Sequence, residues 1–136
     1  MRQRVTEKGG CTVIEDCYNA NPDSMRAALK VLAGYQNRRR IALLGDMLEL
    51  GEFAAAAHRE IGAAAAKSAD ILIAVGSCAA EFAAGAKENG MDPTRIFTPA
   101  RTDAAGLLGE ICRSGDVILV KASRGMRMEE IVAAAF

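Results

Sequence analysis

The sequence predicts an α/β fold, a three-layer sandwich with a mostly parallel sheet and an N-terminal hairpin strand. Short apolar runs alternate with stretches of helical periodicity along the chain. Runs such as Ile71–Val75 and Val117–Val120 are apolar at every position, which is typical of parallel strands covered on both faces. With 136 residues, the chain fits one domain with its own core.

The first elements follow from turn and capping residues. Two short extended pieces flank Gly9-Gly10 within residues 3–16, which predicts a hairpin. Asn21-Pro22-Asp23-Ser24 then supplies an N-cap candidate, a proline suited to the first helical turn and an acid near the positive end of the helix. Apolar residues recur at helical spacing from 25 to 32, so we expect a helix that ends near Gly34.

The remaining elements alternate regularly between strand and helix, which implies parallel pairing. No repeat or interdomain linker interrupts the pattern. The predicted strands cover residues 41–44, 71–75, 95–98 and 117–120, and the predicted helices cover residues 52–68, 79–88, 103–113 and 128–136.

Composition excludes several classes of function. Lys plus Arg and Asp plus Glu both total 17, and this balance argues against nucleic acid as a partner. No apolar run approaches the ~20 residues that cross a bilayer, and the charged start is not a secretory signal, so we expect a cytoplasmic protein that does not contact membranes. The four cysteines form no CxxC pair and His58 is the single histidine, so no metal site is predicted.

Polar residues gather where the predicted strands end. Glu15-Asp16, Gly45-Asp46, Gly76-Ser77 and Lys121-Ala122-Ser123-Arg124 each follow an apolar run. Because the carboxyl ends of parallel strands meet at one edge, we expect a shared site there. Its mixture of acids and bases suits a zwitterionic peptide or the ribose of a nucleotide. The sequence has no phosphate loop and no dinucleotide-binding fingerprint.

The segment from Asp16 to Met25 resembles the D-x-Y-N-A-N-P-x-S-M motif of the Mur ligase family, in the branch that adds D-alanyl-D-alanine to UDP-N-acetylmuramoyl-tripeptide. Residues 45–52, His58 in the following helix, and residues 120–129 agree with this resemblance in order and spacing. The likeness covers the whole chain but only the C-terminal third of such an enzyme. Ala122 departs from it, because the family usually has glycine there.

The resemblance implies that residues 1–136 are the Rossmann-like C-terminal domain of a three-domain ligase. An N-terminal domain would bind the UDP-sugar, and a central ATPase domain would carry the phosphate loop. ATP and Mg²⁺ would activate the tripeptide carboxylate as an acyl phosphate, which the dipeptide amine attacks. This domain would position the amine and close over ATP. Alone, we expect it to be an inactive monomer without a bound cofactor.

Site residues are also implied by the resemblance, although none of them is assigned a catalytic role. The contacts fall into two groups, one for the ribose and adenine of ATP and one for the dipeptide, with His58 supporting Asp46 from behind. The nucleotide group is Arg2, Asp16, Tyr18 and Asn19, and the dipeptide group is Asn19, Asn21, Asp46, Lys121, Ser123 and Arg124.

Structural interpretations compete with several of these roles. Asn21 is a good helix N-cap, Tyr18 suits packing against the first helix as well as against adenine, and Asp46 suits a turn. A phosphoacceptor receiver domain is the main alternative function, with Asp46 as the acceptor and Lys121 as the strand-end lysine. The leading hairpin and the early position of Asp46 argue against it.

Overall fold

A computed structural model of the chain describes residues 3–16 and 19–136. Six strands form one sheet in the order β1-β2-β6-β3-β4-β5. β1 runs antiparallel to β2, and the other neighbouring pairs are parallel, as the sequence predicts. The strands are β1 (Arg4–Lys8), β2 (Cys11–Glu15), β3 (Arg40–Gly45), β4 (Ile71–Val75), β5 (Ile96–Phe97) and β6 (Val117–Lys121).

Among the described residues, five α-helices cover the two faces of the sheet, which confirms the predicted three-layer sandwich. Alternate residues of β2 show the layering, since Ile14 packs with the first three helices and Val13 packs with the last two. Within the described residues, no helix combines the length and the apolar character that a bilayer span requires. The helices are α1 (Pro22–Ala33), α2 (Ala54–Ser68), α3 (Ala79–Glu88), α4 (Arg101–Ile111) and α5 (Glu129–Ala135).

Several element boundaries differ from the prediction by one or two residues, and three of the differences have a local cause. The helix expected from residue 52 starts as a 3-10 turn, Gly51–Phe53, before α2 begins. The strand expected over 95–98 shrinks to the two residues of β5, because Pro93–Arg95 forms another 3-10 turn. α4 begins two residues early, at Arg101, which places Asp103 inside the first turn, where its charge favours the positive end of the helix.

The strand register aligns four carboxyl ends on one side of the sheet. Glu15 lies opposite Val120, and Leu44 lies opposite Lys121. Gly45 lies opposite Val75. The loops that follow β2, β3, β4 and β6 therefore emerge together, and we call this side the carboxyl edge. The opposite side, where these strands begin, is the amino edge.

Two glycines allow α2 and α3 to pack backbone against backbone. A Cβ atom added at Gly62 would collide with the carbonyl of Phe82, and one added at Gly85 would collide with the carbonyl of Arg59. Both glycines are buried within helices. This close approach presses α2 against α3, and so it helps to fix where the loop before α2 lies at the carboxyl edge.

We predict that Gly62→Ala or Gly85→Ala destabilises the fold by about 2 kcal/mol, because overpacking against a backbone outweighs the gain in helix propensity. Gly106→Ala is the matched control, since this glycine also lies in a helix but an added Cβ meets nothing within 4 Å. The control should gain about 0.5–1 kcal/mol. Urea unfolding of the variants measures both effects, and equal free energies of unfolding for Gly62→Ala and Gly106→Ala would contradict the close packing.

Candidate functional site

A fully buried ion pair between Lys121 and Asp16 lies at the carboxyl edge. Lys121 ends β6, and its Nζ atom is 3.0 Å from Asp16 Oδ1. The same ammonium donates hydrogen bonds to the backbone carbonyls of Asp16, at 3.1 Å, and Asn19, at 2.8 Å. The ammonium therefore combines one ion pair with two hydrogen bonds to backbone carbonyls.

This pair ties Asp16 and Asn19 to the end of β6. The amide of Asp16 also donates to the carbonyl of Val120, at 2.9 Å, which continues the strand pairing to the start of the loop. Neither side chain of the pair is exposed, and a buried charge is tolerated only when it is paired. The carbonyls of Asp16 and Asn19 are therefore both held against the end of β6.

Asn21 is the N-cap of α1, which confirms the capping interpretation. Its Oδ1 atom accepts from the amide of Ser24 at 2.9 Å, and Ser24 Oγ accepts from the amide of Asn21 at 3.0 Å. The Ser24 hydroxyl also lies 3.1 Å from the carbonyl of Asn19. The side chain of Asn19 is exposed. The start of α1 is thus capped, and the amide of Asn19 beside it faces solvent.

Asp46 connects the loops after β3, β4 and β6. Its two carboxylate oxygens accept from the backbone amides of Ser77 and Cys78, each at 2.9 Å, and its carbonyl accepts from the amide of Ser123 at 3.0 Å. A Cβ atom at Gly76, whose φ is 114°, would press into this carboxylate. The Asp46 side chain therefore has a structural partner for each oxygen, and the residue is only 6% exposed.

His58, in α2, is hydrogen-bonded to the loop after β3. Its Nε2 atom accepts from the amide of Met47 at 2.9 Å, and its Nδ1 atom lies 2.6 Å from the carbonyl of Ala54. A carbonyl can only accept and an amide can only donate, so these partners assign the proton to Nδ1. The ring is fully buried and meets Phe82 edge-on, with 4.9 Å between centroids. His58 thus holds the backbone of Met47, the residue after Asp46, and its predicted role behind Asp46 stays a prediction.

The loop after β6 contributes Ser123 and the exposed cation Arg124 to the edge. Ser123 Oγ accepts from the amide of Leu48 at 2.8 Å and keeps its own proton available for another acceptor. Arg124 is exposed and forms no ion pair with any described residue. Asn19, Ser77 and Arg124 therefore present amide, hydroxyl and guanidinium groups to solvent on one edge.

Arg101 is a residue of this edge that the sequence analysis missed. Its guanidinium donates to the carbonyls of Met126, at 2.6 Å, and Arg127, at 2.8 Å, and pairs with Glu130 at 3.2 Å. These bonds hold the loop that carries Arg124, in which Arg127 has a positive φ of 50°. Its position at the start of a helix gave no signal, because the partners are backbone carbonyls 25 and 26 residues away.

Asp46, His58 and Cys78 place three possible metal-ligand atoms within 4.8 Å of one another. Burial raises the pKa of the Cys78 thiol, and the charges of Asp46 and Glu81 raise it further, which disfavours the thiolate that a metal needs. The lone pairs of Asp46 and His58 are already engaged by backbone amides. The donor set is therefore committed to holding loops together.

The structure brings most of the predicted contact residues to one edge. Arg2 and Tyr18 lie outside the described residues, so their predicted nucleotide contacts stay predictions. The side chains of Asp16 and Lys121 contact each other and have no exposed surface. Direct contacts of either side chain with a ligand would first require the pair to open. The group on the carboxyl edge comprises Asp16, Asn19, Asn21, Asp46, Lys121, Ser123 and Arg124.

Residues 1–124 match the family described as "Mur ligase, glutamate ligase domain". The chain belongs to the Mur ligase family. The residues of the D-x-Y-N-A-N-P-x-S-M motif that are described supply the Asp16 pair and the Asn21 cap, so the motif is built into the carboxyl edge. The match agrees with the resemblance that the sequence motifs indicate.

Two curated relatives are named UDP-N-acetylmuramoyl-tripeptide--D-alanyl-D-alanine ligase. The Mycobacterium bovis protein is 42% identical over 143 aligned positions, which cover 90% of this chain and 28% of that protein. The Bacillus subtilis protein is 40% identical over 128 positions, covering 90% of this chain and 27% of that protein. The chain therefore spans just over a quarter of the length of these relatives.

Solved structures show the same likeness. MurF from Acinetobacter baumannii aligns with a TM-score of 0.84 at 30% identity, covering 97% of this chain and 29% of that chain. MurF ligase from Thermotoga maritima in complex with ADP aligns with a TM-score of 0.76 at 27% identity, covering 96% of this chain and 29% of that chain. Both matches place the Mur ligase fold over nearly the whole domain.

The receiver-domain alternative is not supported. A phosphoacceptor carboxylate needs an open oxygen, whereas both oxygens of Asp46 accept backbone amides. The leading hairpin of β1 and β2 and the family match also favour the Mur ligase assignment.

We predict that Lys121→Met destabilises the domain by about 3–5 kcal/mol, because it leaves the Asp16 carboxylate buried without a counter-charge. Adding Asp16→Asn should cost less than the sum of the single changes, with a coupling energy of about 1–3 kcal/mol. The exposed lysine of α3 provides the control, and Lys87→Met should change stability by less than about 0.5 kcal/mol. Chemical unfolding of the four variants tests this, and strictly additive losses would show that the pair does not couple.

Proposed function

We propose that this chain is the C-terminal domain of the ATP-dependent ligase that joins D-alanyl-D-alanine to UDP-N-acetylmuramoyl-tripeptide in peptidoglycan synthesis. The observation that carries the proposal is that relatives 40–42% identical over about nine-tenths of this chain bear that activity in their names. Because the chain spans only 27–28% of their length, the UDP-sugar and ATPase domains are assigned to the rest of the protein.

The direction of β1 supports a site shared with a preceding domain. Arg4 pairs with Glu15, at the carboxyl end of β2, since β1 runs antiparallel to β2. A chain that arrives from a preceding domain therefore joins this one at the carboxyl edge. The exposed groups of Asn19, Ser77 and Arg124 lie on that same edge. Substrates held by the other domains would thus meet these side chains.

A site for the dipeptide needs a cation that binds its carboxylate. It must also leave the amine free to react. Arg124 offers a planar guanidinium that is exposed and has no carboxylate partner among the described residues. The Ser123 hydroxyl, one residue before it, can donate to the same carboxylate. In our proposal these two groups hold the carboxylate end, so that the amine projects toward the preceding domain. Holding the nucleophile close to the reacting carbon replaces a bimolecular encounter.

In this proposal, Lys121 and Asp46 position the loops, whereas exposed residues of those loops contact the substrates. Lys121 neutralises Asp16 and fixes the carbonyl of Asn19, so it positions the exposed Asn19 amide. Asp46 holds the amides of Ser77 and Cys78 and the backbone of Ser123. The direct substrate contacts predicted for Asp16, Asp46 and Lys121 stay predictions. They require that substrate binding breaks the interactions that these side chains make within the domain.

The described residues fit the ribose side of ATP better than its phosphates. When bound, ATP with Mg²⁺ supplies the phosphoryl group that activates the tripeptide carboxylate. This chain has no phosphate loop, and its exposed Asn19 amide can both donate to and accept from ribose hydroxyls. Closing the carboxyl edge over the reactants would exclude water, which would otherwise hydrolyse the activated carboxylate.

The isolated chain should accordingly hydrolyse no ATP. We further propose that the protein works as a monomer in the cytoplasm, where the UDP-linked tripeptide would be found. Neither nucleic acid nor a membrane surface is a partner in this proposal, since the chain has a formal net charge of zero.

In the full-length ligase that contains this chain, we predict that Arg124→Gln raises the KM for D-alanyl-D-alanine about 10- to 100-fold. This range corresponds to the loss of one charge-assisted hydrogen bond, about 1.5–3 kcal/mol. The kcat should change much less, because the dipeptide carboxylate is bound equally well in the ground state and in the transition state. The KM for ATP should also change little, because Arg124 is not proposed to contact the nucleotide. Steady-state kinetics with each substrate varied in turn measures the split.

Arg127→Gln is the matched control, because Arg127 is exposed in the same loop, three residues further along. Its KM for the dipeptide should stay within about twofold of the unmodified enzyme, which corresponds to less than about 0.5 kcal/mol. An unchanged KM in Arg124→Gln would remove Arg124 from the dipeptide site. An enzyme that accepts no D-alanyl-D-alanine would overturn the proposed activity itself.

A further inference from the structure

A cleft lies at the amino edge, away from the candidate site at the carboxyl edge. It has a volume of about 600 Å³ and opens between the first residue of β4, the short strand β5 and the end of α4. Ile71, Phe97, Leu107 and Ile111 supply its apolar lining. The cleft arises because β5 has only two residues, so the sheet ends early beneath α4. Its volume falls within the range of small-molecule sites, about 300–1,000 Å³.

Arginines surround this apolar lining. Arg39 reaches into the cleft but is held by Asp116 through two hydrogen bonds, of 3.0 and 2.6 Å, which raise its pKa. Arg95 and Arg113 also line the cleft, are exposed, and form no ion pair in the described part of the chain. Glu110 is the one carboxylate among the lining residues. The free charge at the cleft is therefore predominantly positive.

We propose that this cleft binds an amphipathic organic anion, with an aromatic or aliphatic body against the apolar lining and a carboxylate, phosphate or sulfonate on Arg95 and Arg113. Guanidinium groups with no protein carboxylate are free to form charge-assisted hydrogen bonds with such a group. Beside an apolar wall these bonds are stronger than in bulk water, because less solvent screens them. Removing the ligand's apolar surface from water adds a second, uncharged contribution to its affinity.

The position of the cleft separates it from the proposed ligase site. The five residues of β4 and of β6 span about 16 Å between the two edges, at about 3.3 Å per residue. A ligand at the amino edge would therefore leave Asn19, Ser123 and Arg124 uncovered. The inference does not depend on the proposed ligase activity, and either can fail without the other.

The test compares two fluorescent probes with the same ring system. 1-Anilinonaphthalene-8-sulfonate carries the anion, and N-phenyl-1-naphthylamine lacks it. We expect saturable binding of the sulfonate at one site and at least tenfold weaker binding of the uncharged probe. The double variant Arg95→Gln/Arg113→Gln should weaken sulfonate binding at least tenfold and leave the uncharged probe within twofold. Raising the salt concentration should weaken only the sulfonate.

The variant Arg26→Gln/Arg127→Gln removes the same charge from exposed positions that do not line the cleft, so it should bind the sulfonate as the unmodified chain does. Amide chemical shifts locate the probe independently of any substitution. Shifts at Phe97, Leu107 and Ile111 support the proposal. Shifts confined to the exposed apolar residues Leu48 and Phe53, equal losses in both double variants, or no saturable binding would each overturn it.

Discussion

The carboxyl edge of this domain depends on one buried ion pair, between Lys121 and Asp16. The pair costs desolvation of two charges, and the structure offsets part of that cost with two hydrogen bonds from the ammonium. Both hydrogen bonds end on backbone carbonyls, so the ammonium holds Asp16 and Asn19 directly against β6. The N-cap at Asn21 then begins α1.

A second set of contacts, made by Asp46 and His58, holds the backbone of the neighbouring loops. Asp46 holds the amides that begin the turn into α3, and His58 holds the amide of Met47. In both sets, buried polar side chains hold backbone, whereas the side chains of Asn19 and Arg124 are exposed. The preorganisation that a binding edge needs thus comes from residues that a motif alone would assign to the ligand.

The sequence predicted the order and type of the elements, because apolar runs report strands buried on both faces and capping residues report helix starts. It also located the strand-end residues correctly. It could not show that Lys121 bonds the carbonyls of Asp16 and Asn19, 105 and 102 residues away, because a side chain's partner depends on the tertiary packing. The central place of β6 between β2 and β3 was hidden for the same reason. Arg101 was missed because backbone carbonyls leave no trace in the sequence.

The antiparallel direction of β1 has a mechanical consequence. Where a longer chain joins at Arg4, the hinge sits beside the binding edge, and a rigid rotation displaces each atom in proportion to its distance from the pivot. The loops near Glu15 would then swivel nearly in place, which reorients their side chains with little translation. The far edge, about 16 Å away, would sweep the wider arc. Such a geometry favours small changes in side-chain orientation at the carboxyl edge over long displacements.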